Sequence, residues 1–159
     1  MNAFIGTIHA KTDEKGRVFV PALFRKILQS TGDSCLILRK DIHQNCLVLH
    51  PEKTWEEELN KLQERLLDDW SDEGKQQTFR MIATKVDVVE LDSNGRILIP
   101  KKFLNDANIS NSVCFVGMNK FIEIWSSDQL DKVMMNSDDL KSHVRKFLSN
   151  SRRTNEKND

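Results

Sequence analysis

Along the chain, apolar residues fall mostly into short runs bounded by Gly, Pro, Asp or Asn, the pattern of strands joined by turns. Two sets of such runs predict strands over 4–9, 17–20, 35–38 and 46–49, then over 85–91, 96–99, 113–116 and 121–125. Pro21 and Pro100 end a strand in each set and suit the first turn of a helix, which predicts short helices over 22–29 and 101–108. Two longer stretches repeat their apolar positions every three to four residues, as one face of a helix does. Residues 54–70 carry Trp55, Leu59, Leu62, Leu66 and Trp70; residues 127–148 carry Leu130, Val133, Met134, Leu140, Val144 and Phe147, with a break expected at 136–139. The fold class expected is mainly β with α.

The two sets are copies of one unit. Residues 13–25 read DEKGRVFVPALFR and residues 92–104 read DSNGRILIPKKFL. Set 79 residues apart, Asp13 matches Asp92, Gly16 matches Gly95, Arg17 matches Arg96, Pro21 matches Pro100 and Phe24 matches Phe103. Cys35 and Cys114 keep the same offset, and the closing runs CLVLHP and FIEIWS align once four extra residues near 41–45 are allowed for. The chain therefore divides into a first repeat with its following helix (1–79), a second repeat with its closing helix (80–149) and a flexible polar tail (150–159). Each repeat is read alike: a strand, the turn, a second strand, a short helix, and two more strands that close the unit.

The repeated Asp-x-x-Gly-Arg segment is a turn with chemistry. Gly takes the positive φ a tight turn needs, and Asp at its first position accepts backbone N–H groups further on. The same carboxylate can brace the Arg four residues later and fix the direction of its guanidinium. A fixed guanidinium on a projecting hairpin suits guanine O6 and N7 in the major groove. A purely structural reading has Asp and Arg stapling the hairpin and nothing more; duplication of the motif in one chain weighs against it. Basic groups beside the turns are placed to hold phosphates: Lys15, Arg25 and Lys26 in the first copy, Lys101 and Lys102 in the second. Asn94 stands where the first copy has Lys15.

Charge sharpens this picture. The 24 basic and 24 acidic residues cancel, which argues against general polyanion binding. The distribution is uneven: +3 over 1–51, −5 over 52–79, and +1 in each of 80–125 and 126–159. The acidic excess reads as a solvated helix face. Cys35, Cys46 and Cys114 each lie in an apolar run and are expected to be buried, reduced thiols. His9, His43, His50 and His143 are dispersed, without metal-ligand spacing. No nucleotide-loop, nucleophile-elbow or metalloprotease motif occurs, so neither catalysis nor a cofactor is expected. The N-terminus lacks a signal-peptide pattern and no run is long enough for a membrane span; a cytoplasmic protein is expected.

With the motifs in hand, the chain resembles the MraZ family of bacterial regulators of the division and cell-wall gene cluster. The resemblance rests on the paired Asp-x-x-x-Arg motifs, the opening FIGTIHAKTD, TFRMIATKVDVVELDSNGR and FVGMNKFIEIWSSDQL, and reaches to about residue 148. It implies two AbrB/MazE-like double-split pseudo-barrel repeats capped by helices. It also implies a nucleoid-associated homo-oligomeric ring that binds short repeated G-rich boxes in double-stranded promoter DNA, with no membrane or small-molecule partner. The DNA-contacting candidates are Asp13, Lys15, Arg17, Arg25, Asp92, Asn94, Arg96, Lys101 and Lys102. The copies differ: Thr12 stands where the family prefers the Leu kept at Leu91, and Leu104 stands opposite Arg25, which would remove a phosphate contact. Two alternatives remain: an antitoxin-like DNA-binding protein of the same superfold, disfavoured because the acidic segment is internal and helical, and a ring-forming protein scaffold without DNA.

Overall fold

The computed structural model describes residues 2–32 and 35–156, the last seven of these by their backbone alone. In chain order the elements are β1 (Thr7–Lys11), β2 (Arg17–Phe19), α1 (Ala22–Ser30), β3 (Cys35–Lys40), β4 (Leu47–Pro51), α2 (Glu52–Leu66), α3 (Glu73–Thr84), β5 (Val86–Glu90), β6 (Arg96–Leu98), α4 (Lys101–Asp106), β7 (Ser112–Gly117), β8 (Ile122–Ser126), α5 (Ser127–Val133) and α6 (Ser137–Glu156). One compact unit spans residues 1–129 and a second spans 130–159. Among the described residues no helix is long and apolar enough to cross a membrane.

The first unit holds a six-stranded antiparallel sheet in the order β1-β7-β8-β4-β3-β5 and a two-stranded ribbon of β2 and β6. The repeats do not close on their own strands. The first strand of each has crossed over: β1 pairs with β7 of the second repeat, and β5 pairs with β3 of the first. Strands β4 and β8 form the seam, Leu47 opposite Ile124 and Leu49 opposite Ile122. Crossing over lets both halves share one core. Each half alone would be a domain of a size that buries too little apolar surface to be more than marginal.

Period-two alternation decides which side chains enter that core. Leu36, Leu38, Leu47, Leu49, Val113, Phe115, Ile122 and Ile124 face it from the sheet. Val18, Val20, Ile97 and Ile99 enter from the ribbon segments, and Phe24, Ile27, Leu28 and Phe103 from α1 and α4. Over β3 and β4 the opposite sheet face is covered by α2, whose Trp55 meets His50 with ring centroids 5.3 Å apart.

Several expected boundaries shift. Gly6 has φ +89°, so the first strand starts at Thr7 rather than at residue 4; Phe4 instead forms an isolated bridge to Asn119. The second short helix stops at Asp106, because Asn108 is left-handed with φ 55°. The long helix expected over 54–70 ends at Leu66, so Trp70 lies beyond it and is 75% exposed. Helix α3 has no counterpart among the expected elements. It is capped by Asp72, whose side chain accepts from the Lys75 N–H, and it packs on α2. The expected break near 136–139 falls between α5 and α6, and α6 runs through Glu156; residues 157–159 lie outside the described residues. Cys46 and Cys114 are buried free thiols, but Cys35 is only half-buried, because it opens the strand beside the edge strand β5.

Candidate nucleic-acid interface

Both Asp-x-x-Gly-Arg segments are tight turns built alike. Asp13 Oδ1 accepts the backbone N–H of Lys15 (3.0 Å) and of Arg17 (2.9 Å), and Asp92 Oδ1 accepts those of Asn94 and Arg96 (2.9 Å each). Each second carboxylate oxygen takes the Nε–H of the following guanidinium, Arg17 to Asp13 at 2.6 Å and Arg96 to Asp92 at 2.9 Å. The Arg17 backbone N–H, more than its side chain, holds the Asp13 carboxyl below its ordinary value; Arg96 does the same for Asp92. Because Asp occupies Nε, both Nη groups of each guanidinium stay unbonded among the described residues. That leaves free the edge that reads a base bidentately.

Each turn is clamped by the other repeat. The Gly16 carbonyl accepts the Ile99 N–H (2.9 Å), and the Gly95 carbonyl accepts the Val20 N–H (3.0 Å). Gly16 and Gly95 have φ of +91° and +84°. Leu104 packs over Gly16, and Arg25 packs over Gly95, so the two unlike residues at this repeat position do the same structural job.

The ribbon register sets the geometry. Arg17 lies opposite Leu98, Val18 opposite Ile97, and Phe19 opposite Arg96. Directly opposed residues share a face, so Val18 and Ile97 point into the core, each 1% exposed, while Arg17, Phe19, Arg96 and Leu98 form the outer face. The two arginines stand on a diagonal of this face, with Cα atoms about 7–8 Å apart, the usual spacing of such neighbours. The Arg96 guanidinium carbon sits 5.7 Å from the centre of the Phe19 ring. The arginine side chains are 37% (Arg17) and 24% (Arg96) exposed, neither buried in a core ion pair.

The remaining candidates divide. Lys15 and Asn94 are exposed on the turns, beside the two arginines. Lys101 is exposed at the start of α4, whereas its neighbour Lys102 pairs with Asp87 at 3.3 Å. Arg25 is half-buried across Gly95, with an Nε that is buried and unbonded among the described residues, so its side chain is engaged with the protein. Thr12 turns inward, its hydroxyl within 3.4 Å of the Ser110 carbonyl, where Leu91 packs against the core in the other copy. Strands read from their apolar runs alone do not single out Phe19 and Leu98. The period of two was the signal available: a residue two beyond Arg shares its face.

Comparisons with known proteins match the chain repeat by repeat. A family described as "MraZ protein, putative antitoxin-like" matches residues 3–77 and 82–148, one match to each repeat. A protein of Phocaeicola vulgatus named Transcriptional regulator MraZ is 46% identical over 145 residues, covering 91% of this chain and 93% of that protein. Proteins of the same name from Bacteroides fragilis and Bacteroides thetaiotaomicron are 43% and 42% identical over 97% and 96% of this chain, and 96% and 97% of their own length. Two family matches in tandem, and 42–46% identity over nearly the full length of both chains, mean that this chain belongs to the MraZ family.

Proposed function

We propose that this transcriptional regulator binds double-stranded DNA by laying the outer face of the β2–β6 ribbon into the major groove, where Arg17 and Arg96 read guanine. One observation carries the reading: two carboxylate-braced guanidiniums with free Nη edges share one exposed face of a ribbon built from both repeats. The major groove admits a two-stranded ribbon, and a guanidinium held side-on presents two parallel donors to O6 and N7. Lys15, Asn94 and Lys101 flank the ribbon as phosphate contacts, Lys102 joins them by leaving Asp87, and Arg25 acts by holding the second turn. The acidic segment belongs to α2 and α3, on the far side of the sheet from the ribbon, so it does not repel the duplex at the contact face.

The finer features follow the family resemblance: a cytoplasmic, nucleoid-associated homo-oligomeric ring acting on short repeated boxes of a division and cell-wall gene cluster. Apolar side chains left exposed on α6 support the oligomer. The antitoxin-like alternative gains nothing from this structure, because the acidic residues sit in α2, α3 and the short link between them rather than in an extended tail.

The double variant R17A/R96A tests the reading. Each lost bidentate contact removes about 1–3 kcal/mol of discrimination. The fold should persist, because the backbone N–H groups that chiefly engage Asp13 and Asp92 remain. Melting temperature and affinity for the chain's own upstream DNA, measured on the same sample, decide it. A stable double variant that still prefers that DNA to random sequence ends the proposal.

A further inference from the structure

Two large apolar side chains share the outer ribbon face with the arginines and stay more than half exposed. Phe19 is 57% and Leu98 is 53% exposed, although their ribbon neighbours Val18 and Ile97 are each 1% exposed. The register places Leu98 directly across from Arg17, and Phe19 directly across from Arg96. Each guanidinium therefore has an apolar group at its side, on the face that points outward. Solvent alone gives no reason for this arrangement, since exposed apolar area is unfavourable and a three-residue strand has polar choices open to it. Charge fixes the kind of occupant. A surface bearing two cationic forks next to two apolar groups matches a polyanion whose floor carries both guanine acceptors and a hydrocarbon. The major groove offers one hydrocarbon, the 5-methyl of thymine.

We infer that Phe19 and Leu98 are specificity-determining residues that seat thymine methyl groups beside the guanines read by Arg96 and Arg17. The inference rests on the base-reading function proposed above and extends it from guanine alone to guanine with a neighbouring thymine. The two sites are not equal. Phe19 also lies under the Arg96 guanidinium at 5.7 Å, within cation–π range. Arg96 is accordingly the less exposed arginine, and Leu98 gives Arg17 no such platform. The Arg96–Phe19 pair is the stiffer reader and the Arg17–Leu98 pair the more tolerant one.

The test uses the full chain and a short duplex enriched by it from a random-sequence pool. Replacing thymine by uracil deletes only the methyl group, and replacing guanine by 7-deazaguanine deletes only the N7 acceptor. Uracil next to a selected guanine should weaken binding about fourfold per methyl seated, the value of one buried methyl-sized group. In F19S the sensitivity to uracil should vanish at one thymine, and in L98S at another. F19L should keep its methyl sensitivity but discriminate less sharply at the guanine read by Arg96, because the ring beneath the guanidinium is gone. Enrichment of guanines without adjoining thymines overturns the inference, as does a duplex indifferent to uracil yet sensitive to 7-deazaguanine; both leave base reading standing. Uracil sensitivity unchanged in both serine variants also overturns it, and points to a methyl contact made elsewhere. Indifference to both base analogues, or no enrichment at all, removes the base-reading function and this inference together. The uracil comparison needs no altered protein, so it decides even if a serine variant fails to fold.

Discussion

The two turn glycines look equivalent in sequence but meet different neighbours. A Cβ on Gly16 would fall 2.6 Å from the carbonyl oxygen of Ile99, which is backbone and cannot step aside. A Cβ on Gly95 would fall 2.8 Å from Cδ of Arg25, on a flexible side chain. Both positions have positive φ, so alanine at either costs about 1–2 kcal/mol from conformation alone. G16A should lose a further ~1–3 kcal/mol from the forced shift of the ribbon end. G95A should instead displace Arg25 from the turn. Urea midpoints at unchanged slope measure the difference; equal losses in the two variants would show that Arg25 is held as rigidly as backbone.

At the scale of elements, β4 carries a buried imidazole. His50 is 1% exposed, packed at a tilt between Trp55 and Phe121, and its Nε2 accepts the Arg39 Nε–H at 3.1 Å. Burial, and secondarily the Arg39 charge, lowers its pKa from 6.5 to about 3. Between those values the unfolded chain binds a proton that the native chain refuses. The stability due to neutral His50 is thus complete above pH 6.5 and declines as pH falls towards 3, by at most ~1.4 kcal/mol per unit. His50→Leu should flatten this acid-side slope and lower the neutral-pH plateau, since Arg39 loses its acceptor. Melts of both proteins between pH 6.5 and about pH 4 test it; parallel slopes would assign the acid sensitivity to other groups.

At this scale the turns are legible in sequence because Asp, Gly and Arg act within five consecutive residues, and the strands because each is a short apolar run between turn residues. The exchange of β1 and β5 was not: a strand's alternation is the same whether it pairs within its own repeat or in the other one. Helix α3 escaped because no residue in it is fully buried, so Phe79 and Ile82 make a weak stripe. Trp70 misled for the opposite reason, as an aromatic at helical spacing that lies past the helix end. Arg25 read as a phosphate contact, since nothing local reveals that it reaches across to Gly95.

At the scale of the whole molecule, net charge and affinity have to be reconciled. A chain with 24 basic and 24 acidic residues gains little from general attraction to phosphates. A single ribbon supplies two arginine forks, so one chain on one box should bind weakly. Several tethered ribbons on suitably spaced boxes would gain on the order of 10² or more from effective concentration. Helix α6 is the surface proposed for such tethering: Leu140, Val144 and Phe147 follow one another at helical spacing and are 54%, 43% and 60% exposed. Replacing Leu140 and Phe147 together by Glu should yield smaller particles in light scattering without lowering the melting temperature of the sheet unit. The variant should keep its affinity for a duplex with one box and lose the excess affinity for a duplex with repeated boxes. If wild-type chain is monomeric at micromolar concentration, or if the variant keeps the full advantage of repeated boxes, α6 does not link the ribbons. The avidity would then have to arise from DNA deformation or from another face of the sheet unit.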